Sequence, residues 1–189
     1  MILAGAVQAR SLRSAMENRT MINSNKKRVQ IMPKKDFLDK LPKKWMSACM
    51  VLLSDKNELF VVKQSYRKCW SVPGGMGEKN ESPRETVIRE TKEEIGLDIN
   101  NVRLLSVNWV SSQEGSPDGL LFVFFGGVLT DKQIKNIILD NYEIIDWKFI
   151  NPAEAFEMLG GPERDIAGGI IKGLEALKNN QTVYLENGK

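Results

Sequence analysis

Four glutamates, Glu81, Glu90, Glu93 and Glu94, have the types and spacing to do chemistry, with Arg89 among them and Gly75 in front. Glu90, Glu93 and Glu94 stand at i, i+3 and i+4, so on a helix they share one face. Carboxylates gathered this way repel one another at neutral pH, and a nearby cation reverses that balance. A hard, oxygen-only ligand set of this kind favours Mg²⁺, with Mn²⁺ as the alternative, over zinc. Magnesium binds through a few carboxylates together with substrate phosphates, so the chemistry indicated is metal-assisted attack on a phosphate. The competing reading is the solvated face of a charged helix. It leaves unexplained the arginine inside the cluster and the glycines at a fixed distance before it.

The elements that must position these residues are legible around them. Ser82-Pro83-Arg84-Glu85 reads as a helix start, with Ser82 or Glu81 capping and a proline at the first helical position; Gly96 reads as the stop. Val87, Ile88, Thr91 and Ile95 form the stripe that should pack on a sheet. Upstream, Met46 to Leu53 reads as a buried strand, Ser54 to Asn57 as a turn, and Glu58 to Tyr66 as the returning strand of a hairpin. The pair Gly74-Gly75 allows a close approach of the backbone to a ligand or metal. Trp70 reads as core packing rather than substrate stacking. Downstream, Asn101–Val110, Gly119–Leu129 and Glu143–Ile150 read as strands, the second of them central because it is continuously apolar. Pro152–Leu159 reads as a helix with Asn151 at its N-cap, and Pro162–Lys178 as a last helix weakened by Gly168-Gly169. Strands mixed with a few helices argue an α/β sandwich.

The stretch Gly75 to Leu97, GMGEKNESPRETVIRETKEEIGL, closely resembles the signature of the Nudix hydrolases, GX5EX7REUXEEXGU with U a bulky aliphatic. Every fixed position matches, and Thr91 at the first U position is the soft departure. The resemblance covers about residues 45–180, and its specific part is the motif. It implies an α/β/α sandwich with a mixed sheet and the motif as loop–helix–loop. It implies hydrolysis of a nucleoside diphosphate linked to another moiety, X. Glu93, Glu94 and Glu90 would hold the metal, a backbone carbonyl at Gly74 would join them, and Glu81 would take a secondary role. Arg89 would pair with a motif carboxylate and orient it. The base stays open between Glu90 and a glutamate from a distant loop, for which Glu114 and Glu143 are the candidates.

Substrate choice is less legible. The proline and tyrosine that mark ADP-ribose and dinucleoside-polyphosphate hydrolases in this family would fall near Ser112 and Gly115, and neither is there. No signature of the coenzyme A-cleaving branch precedes the motif. Nucleoside triphosphates, oxidised ones included, are left by elimination. Trp109, Tyr66 and Phe125 are aromatic residues that either stack a base or simply pack. Removal of 5′-end pyrophosphate from RNA is the lesser alternative, and a non-catalytic nucleotide sensor another. Many members of the family pair as dimers, an expectation that extends to this chain.

Composition agrees. A chain of 189 residues accommodates one domain and an extension, read as 1–44 (basic), 45–180 (the hydrolase domain) and 181–189 (a tail). With 27 basic and 24 acidic side chains, the overall charge demands no nucleic-acid partner. Cys49 and Cys69 read as thiols of a reducing compartment, so a cytoplasmic location is expected. No apolar run is long enough to span a membrane. Histidine is absent, which excludes a Ser-His-Asp or Cys-His nucleophile and histidine-bound zinc. Met1 to Met16 reads either as disorder or a mis-set start, or as a weak presequence. Lys26-Lys27-Arg28, Lys34-Lys35 and Lys43-Lys44 read either as a solvated linker or as an attraction for phosphate-rich substrate or RNA.

Overall fold

A computed structural model describes residues 34–189 apart from Glu114, so the expectations for Met1–Met16, for Lys26-Lys27-Arg28 and for Glu114 fall outside the described residues. Helix α1 (Lys34–Asp39) belongs to an N-terminal unit that ends at Pro42. All other elements lie in a second unit, Lys43–Lys189. They are β1 (Trp45–Leu53), β2 (Leu59–Gln64), β3 (Trp70–Ser71), β4 (Gly74–Met76), α2 (Pro83–Ile95), β5 (Arg103–Val110) and β6 (Gly119–Val128). There follow α3 (Asp131–Lys135), β7 (Ile144–Ile150), α4 (Pro152–Met158), a 3-10 turn Gly161–Glu163, α5 (Asp165–Lys178) and β8 (Val183–Glu186).

The eight strands of the described residues form one mixed sheet in the order β3-β2-β1-β6-β5-β8, with β4 on β1 and β7 on β2. β1 runs parallel to β6, from Trp45 opposite Gly119 to Leu53 opposite Val128, and this pair is the centre of the sheet. Alternation along β1 divides the core. Ala48, Met50 and Leu52 face α2 with Val62, Val87 and Ile95. Cys49, Val51 and Leu53 face α4 and α5 with Val61, Leu105 and Ile170. The expected α/β/α sandwich is therefore the observed fold.

The expected hairpin differs in detail. β1 and β2 are antiparallel neighbours registered only at Leu53 and Leu59, beside the turn. Beyond it they part. β1 takes β4 as its partner, with Ala48 opposite Gly75 and Cys49 opposite Gly74, while β2 pairs with β3 and along its length with β7. The split lets the glycine strand enter beside β1 and meet α2. The last helix also starts later than its sequence suggests. The chain makes one 3-10 turn, Arg164 adopts an extended φ of −132°, and α5 begins at Asp165. Gly169 and Gly173 lie on its sheet-facing side against Leu121 and Leu105, so glycine here serves close packing. Ser106 Oγ donates to Gly169 O at 3.0 Å and Asn108 Nδ2 to Asp165 O at 3.2 Å, tying the start of α5 to β5. The residues read as a tail contain β8, which pairs in parallel with β5. No helix among the described residues is long and apolar enough to cross a membrane.

Candidate active site

Local chemistry sets α2 as the sequence indicates. Ser82 caps it, its side chain accepting from the Glu85 N–H while the Glu85 carboxylate accepts from the Ser82 N–H. Gly96 closes the helix at φ 72°, a left-handed turn that favours glycine. Val87, Thr91 and Ile95 are buried, and the Thr91 hydroxyl is satisfied by the Val87 carbonyl at 2.6 Å. A threonine at this point therefore costs no unpaired polar group.

With that face anchored, the acids are graded by depth. Glu94 is 3 % exposed, whereas the side chains of Glu90 and Glu93 are 15 % and 60 % exposed. The Gly74 N–H donates to Glu94 Oε2 at 2.9 Å. Burial pushes the Glu94 carboxyl up to about 8, outweighing that bond, and Glu90 and Glu143 push the same way. Burial also raises Glu90, against the lowering influence of Arg89.

Arg89 is the counter-charge of the cluster. Its Nε donates to Glu81 Oε1 at 2.8 Å and its Nη2 to Glu81 Oε2 at 3.0 Å, a bidentate fork. Its Nη1 donates to Glu90 and to Glu93, each at 2.9 Å, and Nη2 also reaches the Met76 carbonyl. The Arg89 bonds are the main reason that Glu81 is held down at about 2. As they stand, no three acidic side chains among the described residues converge as a ligand set. Arg89 spreads them: a cation would have to draw Glu90 and Glu93 from it. Glu94 fits such a cation, being a buried acid with one N–H donor and no positive partner among the described residues.

The glycines admit this arrangement. Gly74 has φ 146°, and a Cβ there would lie 2.5 Å from Cys49 Cα. A Cβ on Gly75 would lie 2.5 Å from the Glu90 carboxyl carbon. Its obstacle is a flexible side-chain end, so Gly75→Ala is expected to keep the fold but displace Glu90, lowering turnover about 100-fold. Thermal melts beside steady-state rates check this; unaltered turnover would dissociate Glu90's position from activity.

Gly74, Gly75, Glu90 and Glu143 line one cavity of ≈300 Å³. Of the two distant glutamates that the sequence offers as base, the structure describes this one and brings it to Glu90. Glu143 is held by Gln64 Nε2 at 3.3 Å and by the Tyr66 hydroxyl, and Asp140 caps its backbone N–H. Tyr66 is thus a partner of Glu143, with Arg67 near its ring at 5.5 Å. Trp70 packs against the core and carries Lys148 over its ring at 4.4 Å. Both cysteines are free, and burial raises the Cys49 thiol to about 12.

Sequence reasoning missed Gln64, Arg67 and Arg164, which also line this cavity. Arg164 comes from the break before α5, and its Nη1 sits 3.1 Å from Cys69 Sγ, 3.2 Å from the Leu159 carbonyl and 3.4 Å from the Trp70 carbonyl. No spacing signals residues so distant in the chain. A charged residue at a helix-breaking Gly-Gly-Pro is the nearest hint.

Comparison with known proteins bears on the family and the fold. The chain is 38% identical over 56 residues to an RNA pyrophosphohydrolase of Hydrogenovibrio crunogenus, covering 30% of this chain and 34% of that protein. It is 34% identical over 89 residues to the putative ADP-ribose pyrophosphatase YjhB of Bacillus subtilis, covering 46% and 43%. The chain thus spans less than half the length of these two relatives. Among solved structures, the NUDIX domain of Shewanella oneidensis NrtR, crystallised with ADP ribose, superposes with a TM-score of 0.57 at 14% identity, over 79% of this chain and 99% of that one. That likeness shows the fold. Residues 43–167 match the family model described as NUDIX domain, and the chain belongs to that family.

Proposed function

We propose that this protein is a divalent-metal-dependent pyrophosphohydrolase acting on a nucleoside diphosphate linked to a second moiety, a nucleoside triphosphate or related nucleotide being the nearest substrate. The observation that carries this reading is the buried Glu94 on the same helix as Glu90, which lines one cavity with Glu143. Glu90, Glu93 and Glu94 are the side chains that would hold Mg²⁺ or Mn²⁺, with the Gly74 carbonyl as the backbone candidate. Bound there, the cation supplies neutralisation of the phosphoryl oxygens and acidification of water. Arg89 keeps the carboxylates apart and aimed, and Glu81 anchors Arg89. Glu143 takes the proton from the attacking water; Gln64 and Tyr66 hold it in place. Glu90 is the alternative base. Glu143→Gln is therefore expected to lower kcat by about 10²–10⁴-fold with KM little altered, a loss typical of a missing general base. A fall of less than threefold would return that role to Glu90.

The test of the whole reading is phosphate release, coupled with a phosphatase that acts on the products, over a nucleotide panel with Mg²⁺ or Mn²⁺. The panel holds canonical and oxidised triphosphates, ADP-ribose, nucleotide sugars, dinucleoside polyphosphates and 5′-triphosphate RNA, each beside Glu93→Gln. Turnover of one class that vanishes in the variant supports the reading; turnover that survives it rejects the metal role. RNA is the second reading, supported by the names of several relatives and by Lys34-Lys35 and Lys43-Lys44. It requires affinity that falls steeply with salt.

A further inference from the structure

The cavity bounded by Glu90 and Glu143 does not end at the carboxylates. A second chamber of ≈380 Å³ adjoins it, and the two share Ser47, Arg67, Met76, Arg164 and Ile166 as a common wall. Two cations thus stand where the chambers meet. Arg164 is half-buried and spends Nη1 on a thiol and two carbonyls. Those three acceptors are neutral, and neither Arg164 nor Arg67 has a carboxylate partner among the described residues. A partly buried guanidinium surrounded by neutral acceptors retains most of its charge for a ligand, and its planar fork matches phosphate oxygens.

The chamber beyond has a different character. Its walls include Trp45, Val110 and Leu121, with Gln113, Ser116 and Asp165 as polar groups. Asp165 is its acid: a carboxylate repels phosphate and accepts from the N–H and O–H groups of a base or sugar. The size falls within the range of small-molecule sites, and a lining that mixes apolar side chains with hydrogen-bonding groups suits a nucleoside. Trp45 is fixed there, with its indole N–H on the Pro117 carbonyl at 2.8 Å. The start of α5 is fixed by the bond from Asn108 to the Asp165 carbonyl.

We infer that Arg67 and Arg164 form a phosphate clamp between the two chambers. The nucleoside of a 5′-nucleotide occupies the Trp45 chamber, and its phosphate chain crosses the arginines toward Glu90, Glu93 and Glu94. This assignment rests on the pyrophosphohydrolase reading and adds to it the substrate's direction. The part recognised is the nucleoside with its proximal phosphate, and X lies toward the motif.

Calorimetric titration tests the clamp without turnover. The probes are α,β-methylene ATP and α,β-methylene GTP, with methylenediphosphonate as the nucleoside-free control, all at the same Mg²⁺ concentration. At least one nucleotide analogue is expected to bind more than tenfold tighter than methylenediphosphonate. Arg67→Gln and Arg164→Gln should each weaken the analogue by tenfold or more, and leave Mn²⁺ binding, read by electron paramagnetic resonance, as in the parent. Val110→Trp, which narrows the chamber and leaves both arginines in the chain, should weaken the nucleotide analogue and spare methylenediphosphonate. Arg67 is exposed, so its variant stays informative even if Arg164→Gln fails to fold. Equal affinity for all probes, or an analogue indifferent to Arg67→Gln, would overturn the clamp. Nucleotide binding unaltered in a folded Val110→Trp protein would overturn the chamber assignment. On whichever substrate the panel finds, both arginine variants should raise KM more than kcat falls. An inactive protein that still shows these affinities would sink the hydrolase reading alone; an active one whose KM ignores both arginines would sink this inference alone.

Discussion

Glu94→Gln is expected to abolish turnover and, in the metal-free protein, to raise stability. The two effects have one cause. The carboxyl ionises at about 4.5 when solvated and at about 8 in the folded chain. Between those values the folded state keeps a proton that the unfolded state has lost, so stability falls as pH rises from about 4.5 to about 8 and levels off above. Glutamine can still accept from the Gly74 N–H but never ionises. At pH 8 the variant should exceed the parent by about 2 kcal/mol, a figure reduced for the new buried amide. Its stability should lack the parent's decline over that window. Mg²⁺ should reverse the order. A cation needs the ionised carboxylate, so its stabilisation of the parent grows as pH approaches 8, while the variant gains little. Loss of a metal carboxylate should lower kcat by about a thousandfold or more. Denaturant titrations at pH 5 and 8, with and without Mg²⁺, read both halves. A metal-free variant less stable than the parent at pH 8 would mean that Glu94 is not a strained acid. Retained turnover would remove it from the metal site.

The second large effect is expected at Arg89. Arg89→Gln removes one guanidinium from Glu81, Glu90, Glu93 and the Met76 carbonyl together. What remains is Glu81 and Glu90, partly buried, with no local cation, and Glu93, open to water; breaking such a part-exposed network from one side costs about 2 kcal/mol. The penalty should shrink in Mg²⁺, which supplies the lost charge. It should also shrink in acid. Glu81 is held at about 2 mainly by Arg89, so the stability it contributes is complete above about 4.5 and lost as pH falls through about 2. The variant should lack that acid dependence and approach the parent near pH 2. Turnover should fall about 100-fold, because the carboxylates lose their aim. Arg89→Lys should recover only part of either loss, since an ammonium cannot make the fork to Glu81. A variant as stable as the parent at pH 7 without metal would show that Arg89 does not balance the cluster.

How much of this was readable beforehand follows from the range of each interaction. The motif helix is a local object. Its cap at Ser82, its stop at Gly96, its buried stripe and the shared face of Glu90, Glu93 and Glu94 all depend on contacts within a few residues. The central placement of β6 follows from an uninterrupted apolar run, and the Asn151 cap from its proline neighbour. Spacing therefore carried the carboxylate cluster, its arginine and the glycine turn before it.

What spacing could not carry was the grading and the surroundings of the cluster. Glu93 and Glu94 are adjacent in sequence, yet one is open to water and the other closed. The difference comes from β4, which reaches α2 only because β1 leaves β2 after a single register position. Gln64, Glu143 and Arg164 share one cavity although they come from the end of β2, the approach to β7 and the break before α5. β8 was missed because a four-residue strand has too little pattern of its own and is defined by its ladder on β5. Local propensity and period act over one or two turns of chain. The cavity is made by pairings between residues tens of positions apart, whose closure is decided by packing of the whole sheet. Spacing along the chain determined that the carboxylates, their arginine and the glycine turn would lie together. The tertiary structure decided which of them is buried, what faces them, and which cavities adjoin them.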